Sequence, residues 1–167
     1  LYIDTIISDE KVILLKPQKY MNLSGEVVKK YVDYFKINIE DNILKTMDYC
    51  IASMHTFCLK PGTVEENTRA AIGAMKNPYV KILGHPDDSR YPLDYETLVR
   101  AAVEEKVLLE VNNSSLHPLA ARQGARENIC TMLRLCKKYD CPVILGSDSH
   151  ISYTIGKFDW AEELLSA

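Results

Sequence analysis

No stretch of this 167-residue chain approaches the roughly 20 consecutive apolar residues that a helical membrane span needs, so no such span is expected. Its opening, LYIDTIISDE, lacks the basic and apolar regions of a secretory signal and lacks an initiating methionine. A cytoplasmic chain is expected, processed, trimmed or cut from something longer. Charge of either sign is not in excess: 20 basic against 23 acidic residues give a net charge of -3, with no bulk attraction to nucleic acid or anionic membrane. The five cysteines are Cys50, Cys58, Cys130, Cys136 and Cys141, an odd number containing no CxxC. That argues against a disulfide framework and a zinc ribbon. Reduced thiols among apolar neighbours are expected, with a zinc role for the last three as the alternative. Internal repeats, low-complexity segments and Gly/Ser/Pro linkers are absent too, so residues 1–167 are expected to share one core.

What the chain does have, from about residue 48, is alternation. DYCIASMH (48–55), YVKILGH (79–85), VLLEVNN (107–113) and PVILGSD (142–148) read as strands. Between them, 63–77, 94–106 and 125–139 read as helices, and a last helix falls near 157–166. Thr63 and Glu66 have capping-box spacing, and Asp94 is placed to cap the second helix. Short connections between such elements build parallel sheet from βαβ units. The strands are nearly all apolar, which predicts cover on both faces. Residues 1–45 read as two strands joined by a tight polar turn, then a loop, then a helix from Ser24 to about Phe35. The expected fold is therefore α/β: a single mostly parallel sheet of roughly five or six strands flanked by helices, with one antiparallel edge strand.

Each strand of the alternating part ends in a polar or metal-capable residue. His55 ends the first, His85 the second, Asn112 and Asn113 the third, and Asp148 and His150 the fourth. In α/β folds ligands sit at these carboxyl ends. Imidazoles with a carboxylate suit zinc, iron or manganese better than magnesium or calcium. Arg90, in the PDDSRYP loop after His85, is placed either to face a substrate phosphate or to pair with Asp87 or Asp88. His117 reads as a surface histidine, and Glu110 as either a chemical group or a salt-bridge partner.

DYCIASMHT, ILGHPDDSRYPLDYE, LEVNNSS and ILGSDSH, in this order, resemble the C-terminal half of PHP (polymerase and histidinol phosphatase) family phosphoesterases from about residue 47 onward. The resemblance implies a barrel-derived fold, hydrolysis of phosphate esters and a site with two or three metal ions. His55 and His85 would ligate one metal, and Asp148 and His150 would each ligate a neighbouring one. Arg122, Asn112 and Asn113 would line the pocket. The family's opening HxH motif, further histidine and metal-bridging glutamate have no counterpart here. In their place, VILLKPQKYMNLSGEVVKKYVDYFKI resembles the central segment of bacterial peptidyl-tRNA hydrolase over roughly residues 1–45, which implies a substrate contact for Asn22. That family's catalytic histidine and its partner aspartate lie outside the segment, so peptidyl-tRNA hydrolysis is not expected.

The chain thus reads as a chimera, with a 1–45 segment of one hydrolase joined to a 46–167 half-barrel of another. The leading expectation is a folded scaffold that keeps a remnant divalent-metal site, holding one ion or none, with little or no catalysis and no catalytic group assigned. The alternative is a metal-dependent phosphoesterase acting on a small phosphate-containing molecule. Neither membrane nor nucleic-acid partners are expected. An uncovered sheet edge or helix face points to a homodimer.

Overall fold

A computed structural model describes residues 2–7, 10–15, 44, 46–56 and 59–166. The chain divides into two compact units, Leu1–Ile39 and Glu40–Ala167. In the first, β1 (Tyr2–Ile7) and β2 (Glu10–Leu15) pair antiparallel, with Tyr2 opposite Leu15 and Ile7 opposite Glu10. The predicted hairpin is present, as a two-stranded sheet of its own. The helix expected from Ser24 and the substrate contact expected of Asn22 lie outside the described residues.

The second unit alternates as predicted. β3 (Cys50–Ser53) leads to α1 (Val64–Met75), β4 (Val80–Gly84) to α2 (Tyr95–Glu105), β5 (Leu108–Asn112) to α3 (Ala125–Tyr139), and β6 (Val143–Gly146) to α4 (Asp159–Ser166). The capping box at Thr63 is formed in both directions, with the Thr63 side chain accepting from the Glu66 N–H and Glu66 accepting from the Thr63 N–H. Asp94 accepts from the N–H groups of Glu96 and Thr97. Short polar side chains therefore start both helices by satisfying otherwise orphaned donors.

β3 to β6 form one parallel four-stranded sheet in the order β3-β4-β5-β6. The sheet is thus shorter than the five or six strands expected, because β1 and β2 pair only with each other among the described residues. Strand order equals chain order and never reverses, so like-handed crossovers put consecutive helices side by side. α1 packs on α2, and α2 on α3. Leu83, Leu109 and Val111 bury one face of the sheet against Met75, Leu98, Val99, Ile129 and Met132. The opposite face is more open: Ile51 is 56% exposed, and Leu108, Glu110 and Ile144 are only half-buried. The expected cover on both faces is thus uneven among the described residues. A doubly wound sheet requires a reversal of strand order that this one lacks.

Candidate functional site

All four parallel strands deliver a polar side chain to one edge, as the spacing predicts, and two backbone features aim them. His85, directly after Gly84, has φ +34°, and Asp148 has φ +47°. Non-glycine residues adopt such angles at a cost of about 1–3 kcal/mol, a strain that gathers at functional sites. The His55 and His85 rings meet edge to face, with centroids 4.7 Å apart. Burial is the main cause holding the His85 pKa down at about 4, helped by the nearby Arg122 charge and by His55. Burial and then Arg122 likewise lower His55. Both imidazoles are therefore neutral at pH 7, the form that binds metals.

Arg122 organises the other side. Its guanidinium donates to Asp148 Oδ2 at 2.9 Å, to Ser115 Oγ at 2.9 Å and to Asn112 Oδ1 at 3.3 Å. Burial disfavours the Asp148 charge, but the hydrogen bond and charge of Arg122 outweigh it and leave the carboxyl below its ordinary value. Asn112 also accepts from the Ser115 N–H at 2.9 Å, which folds the turn after β5 beneath Arg122.

Glu110 lies at the centre of this edge. Its Oε2 accepts from the His85 N–H at 2.6 Å and from Asn112 Nδ2 at 3.3 Å. Glycines on both neighbouring strands make room for it. A Cβ on Gly146 would stand 1.7 Å from Glu110 Oε1, and one on Gly84 would stand 3.5 Å from Oε2. Burial raises the Glu110 pKa, opposed by the His85 N–H and Asn112. Asp87 is wholly buried, and neither of its carboxylate oxygens has a hydrogen-bond partner among the described residues. Burial lifts its pKa to about 6, against the opposing charge of Arg122.

The structure brings His55, His85, Asn112, Arg122 and Asp148 together. It gives other work to three further candidates. Arg90 is paired with Asp88, which accepts both Arg90 Nε and Nη2. Asn113 Oδ1 accepts from the Trp160 and Ala161 N–H groups at 3.0 Å each and so caps α4. His150 is exposed, with Nδ1 3.0 Å from the Asp148 carbonyl oxygen. Reading the sequence missed Ser115, gave Asp87 only as an alternative partner for Arg90, and left Glu110 open. An acid inside an apolar strand, two residues before Asn112 and flanked in space by glycine-ended strands, was the available signal for Glu110.

Two neutral imidazoles and an ionised carboxylate are the right donors for a zinc-, manganese- or iron-type ion. Their arrangement does not close around one: among the described residues no three His, Cys, Asp or Glu side chains are grouped to hold a metal. Asp148 also engages Arg122. Of the cysteines, Cys136 and Cys141 are buried, and burial pushes the Cys136 thiol up to about 12. Cys58 lies outside the described residues. No helix among the described residues is long and apolar enough to cross a membrane.

Fold and site together define an α/β protein with a polar, arginine-centred site at the carboxyl ends of a parallel sheet. The peptidyl-tRNA hydrolase family model matches residues 1–75. A probable phosphatase of Clostridium novyi is 44% identical over 137 residues, covering 81% of this chain and 55% of its own length. A probable phosphatase of Clostridium acetobutylicum is 45% identical over 131 residues (78% and 53%), and one of Caldicellulosiruptor bescii 43% over 135 (80% and 55%). The chain spans about half the length of the curated relatives it matches.

These findings correct the expected chimera. The peptidyl-tRNA hydrolase match runs past residue 45 to residue 75, and the phosphatase matches cover a larger share of the chain than residues 46–167 make up. The two similarities overlap, so no sharp junction falls at residue 45. The PHP assignment is also withdrawn: the matching family model is a different one, and the relatives are named only as probable phosphatases.

Proposed function

We propose that residues 40–167 bind a phosphate ester at the carboxyl ends of β3 to β6, as part of a phosphatase site, with little or no turnover by the chain alone. The observation that carries this is the Arg122 guanidinium, half-buried and held by Asp148, Ser115 and Asn112 beside two neutral imidazoles. A planar guanidinium on a rigid frame presents the fork that phosphate oxygens accept. The name shared by the relatives, probable phosphatase, supports the same reading. The low turnover in this reading follows from the grouping of ligands: metal-assisted hydrolysis needs more converging side chains than are grouped among the described residues.

Calorimetric titration with inorganic phosphate tests it. Saturable binding that weakens about tenfold or more in Arg122→Ala, the scale of a charge-assisted hydrogen bond, is expected. Absence of binding, or binding indifferent to Arg122, would sink the reading. A second reading, one divalent ion taken up by the His55–His85 pair, is favoured by their edge-on packing and neutral charge. Metal content of untagged protein, measured beside His55→Ala/His85→Ala, checks it. Equal content in the two samples would rule it out.

A further inference from the structure

A pocket of about 290 Å³ opens beside Asp148 and His150, between the turn after β5 and the start of α4. Its walls include Trp160, His117, Lys157 and Asp159, none of which the phosphate-binding reading uses. We propose that this pocket holds the alcohol part of the phosphate ester and selects a small, uncharged, polyhydroxylated one, so that the substrate class is a monosaccharide phosphate. The inference rests on the functional reading above.

Four observations carry it. The first is the mixture of donors and acceptors. His117 Nδ1 accepts from the Leu119 N–H at 3.0 Å, so the ring proton sits on Nε2, which is a donor. His150 Nδ1 faces the Asp148 carbonyl oxygen at 3.0 Å and donates to it, so in the neutral ring Nε2 is an acceptor. Lys157 adds donors and Asp159 adds acceptors. A sugar hydroxyl both donates and accepts, and such a mixture satisfies it where a uniform lining would not.

The second is charge balance. Lys157 and Asp159 carry opposite charges, and the only other carboxylate in the lining, Asp148, is already neutralised by Arg122. The first N–H groups of α4 are taken by Asn113, so the helix start offers no free anion cradle there. A second anionic group on the ligand therefore gains nothing.

The third is shape. The Trp160 and His117 rings meet edge to face, with centroids 5.8 Å apart and planes at 85°, which fixes the indole as a wall. An aromatic wall with a few oriented polar groups is the usual make-up of a small-ligand site, and the C–H face of a pyranose or furanose packs on such a ring. The fourth is size. The volume lies just below the roughly 300–1,000 Å³ typical of small-molecule sites, a fit for a single ring.

Trp160 is the single tryptophan of the chain, so its emission reports the pocket directly. The full chain is titrated with ribose 5-phosphate, ethyl phosphate and inorganic phosphate, following Trp160 fluorescence and heat in parallel. The expected result is a saturable fluorescence change with ribose 5-phosphate alone, and binding about tenfold tighter than for ethyl phosphate, the scale of one net hydrogen bond to a hydroxyl. In Lys157→Met/Asp159→Asn the ratio of ribose 5-phosphate to ethyl phosphate affinity should fall toward one. Phosphate binding with no Trp160 response to ribose 5-phosphate, or with equal affinity for the two esters, overturns the subsite and leaves the functional reading standing. Absence of inorganic phosphate binding overturns that reading, and the subsite with it.

Discussion

The buried carboxyl of Asp87 and the buried imidazole of His85 titrate in opposite senses within one turn of chain. The Asp87 pKa is raised from 3.8 to about 6, so the native state holds its proton more tightly than the unfolded chain. The stability it contributes is present below pH 3.8 and lost as pH rises through about 6, a swing of about 3 kcal/mol. The His85 pKa is lowered from 6.5 to about 4, so its contribution is present above pH 6.5 and lost as pH falls through about 4. The two slopes largely cancel between pH 4 and 6. Asp87→Asn, which keeps the shape without the charge, should raise stability at pH 7.5 by about 2–3 kcal/mol and unmask the acid-side loss due to His85. Urea unfolding at pH 4.5 and 7.5 checks both effects; an unchanged midpoint at pH 7.5 would show that Asp87 is satisfied some other way.

Glu110 and Gly146 make a second residue-scale pair. With Glu110 Oε1 in the place a Cβ would take, Gly146→Ala must expel the carboxylate and release the His85 N–H from its 2.6 Å bond. The expected cost is about 2–4 kcal/mol, from the clash and from an unpaired buried donor. Glu110→Gln keeps the acceptor and should cost less than half as much. If Gly146→Ala is neutral by thermal unfolding, Glu110 does not hold β4 to β6 as described. At this scale the sequence was legible where spacing decides: His55, His85 and Asp148 meet because each ends a parallel strand. It was illegible where the third dimension decides. Nothing local marks Asp87 as buried and unpartnered in a loop that begins PDDSR, and nothing local assigns Asn113 to the cap of a helix 47 residues later.

At the scale of elements, caps and periodicity carried nearly all the information. The predicted helices 63–77, 94–106 and 125–139 are found as Val64–Met75, Tyr95–Glu105 and Ala125–Tyr139. Thr63 and Asp94 fix two of their starts by hydrogen bonds that the residue types alone foretell. Asp94 does more than cap. Its own N–H donates to Thr68 Oγ1 at 2.9 Å, joining the start of α2 to the buried face of α1. Asp94→Ala removes the side-chain cap and keeps that backbone bond, so a loss of about 1 kcal/mol is expected. Asp94→Pro removes both, and a loss at least twice as large is expected. Comparable losses in the two variants by chemical denaturation would mean that the α1–α2 link contributes nothing. What the elements did not reveal was sheet closure. Apolar runs such as VLLEV bury Leu109 and Val111 on the helix face, yet leave Leu108 and Glu110 half-buried on the other. An apolar run alone does not tell cover on two faces from cover on one.

At the scale of the whole molecule, strand order decides what is left uncovered. The sheet β3-β4-β5-β6 is open, so among the described residues β3 is an edge strand, and it carries Ile51 at 56% exposure, preceded by Met47 at 56% and Tyr49 at 59%. A parallel edge strand with apolar flanks and few charges invites pairing, whereas isolated surface apolar residues do not. Association of two copies through β3 is therefore expected, with light scattering giving a dimer mass that reverts toward monomer on dilution. Ile51→Lys, which places a charge where edge strands commonly carry one, should shift that balance to monomer while leaving far-ultraviolet dichroism unchanged. A single monomeric mass across micromolar concentrations, in the parent and the variant alike, would locate the cover for β3 within one chain rather than in a second copy.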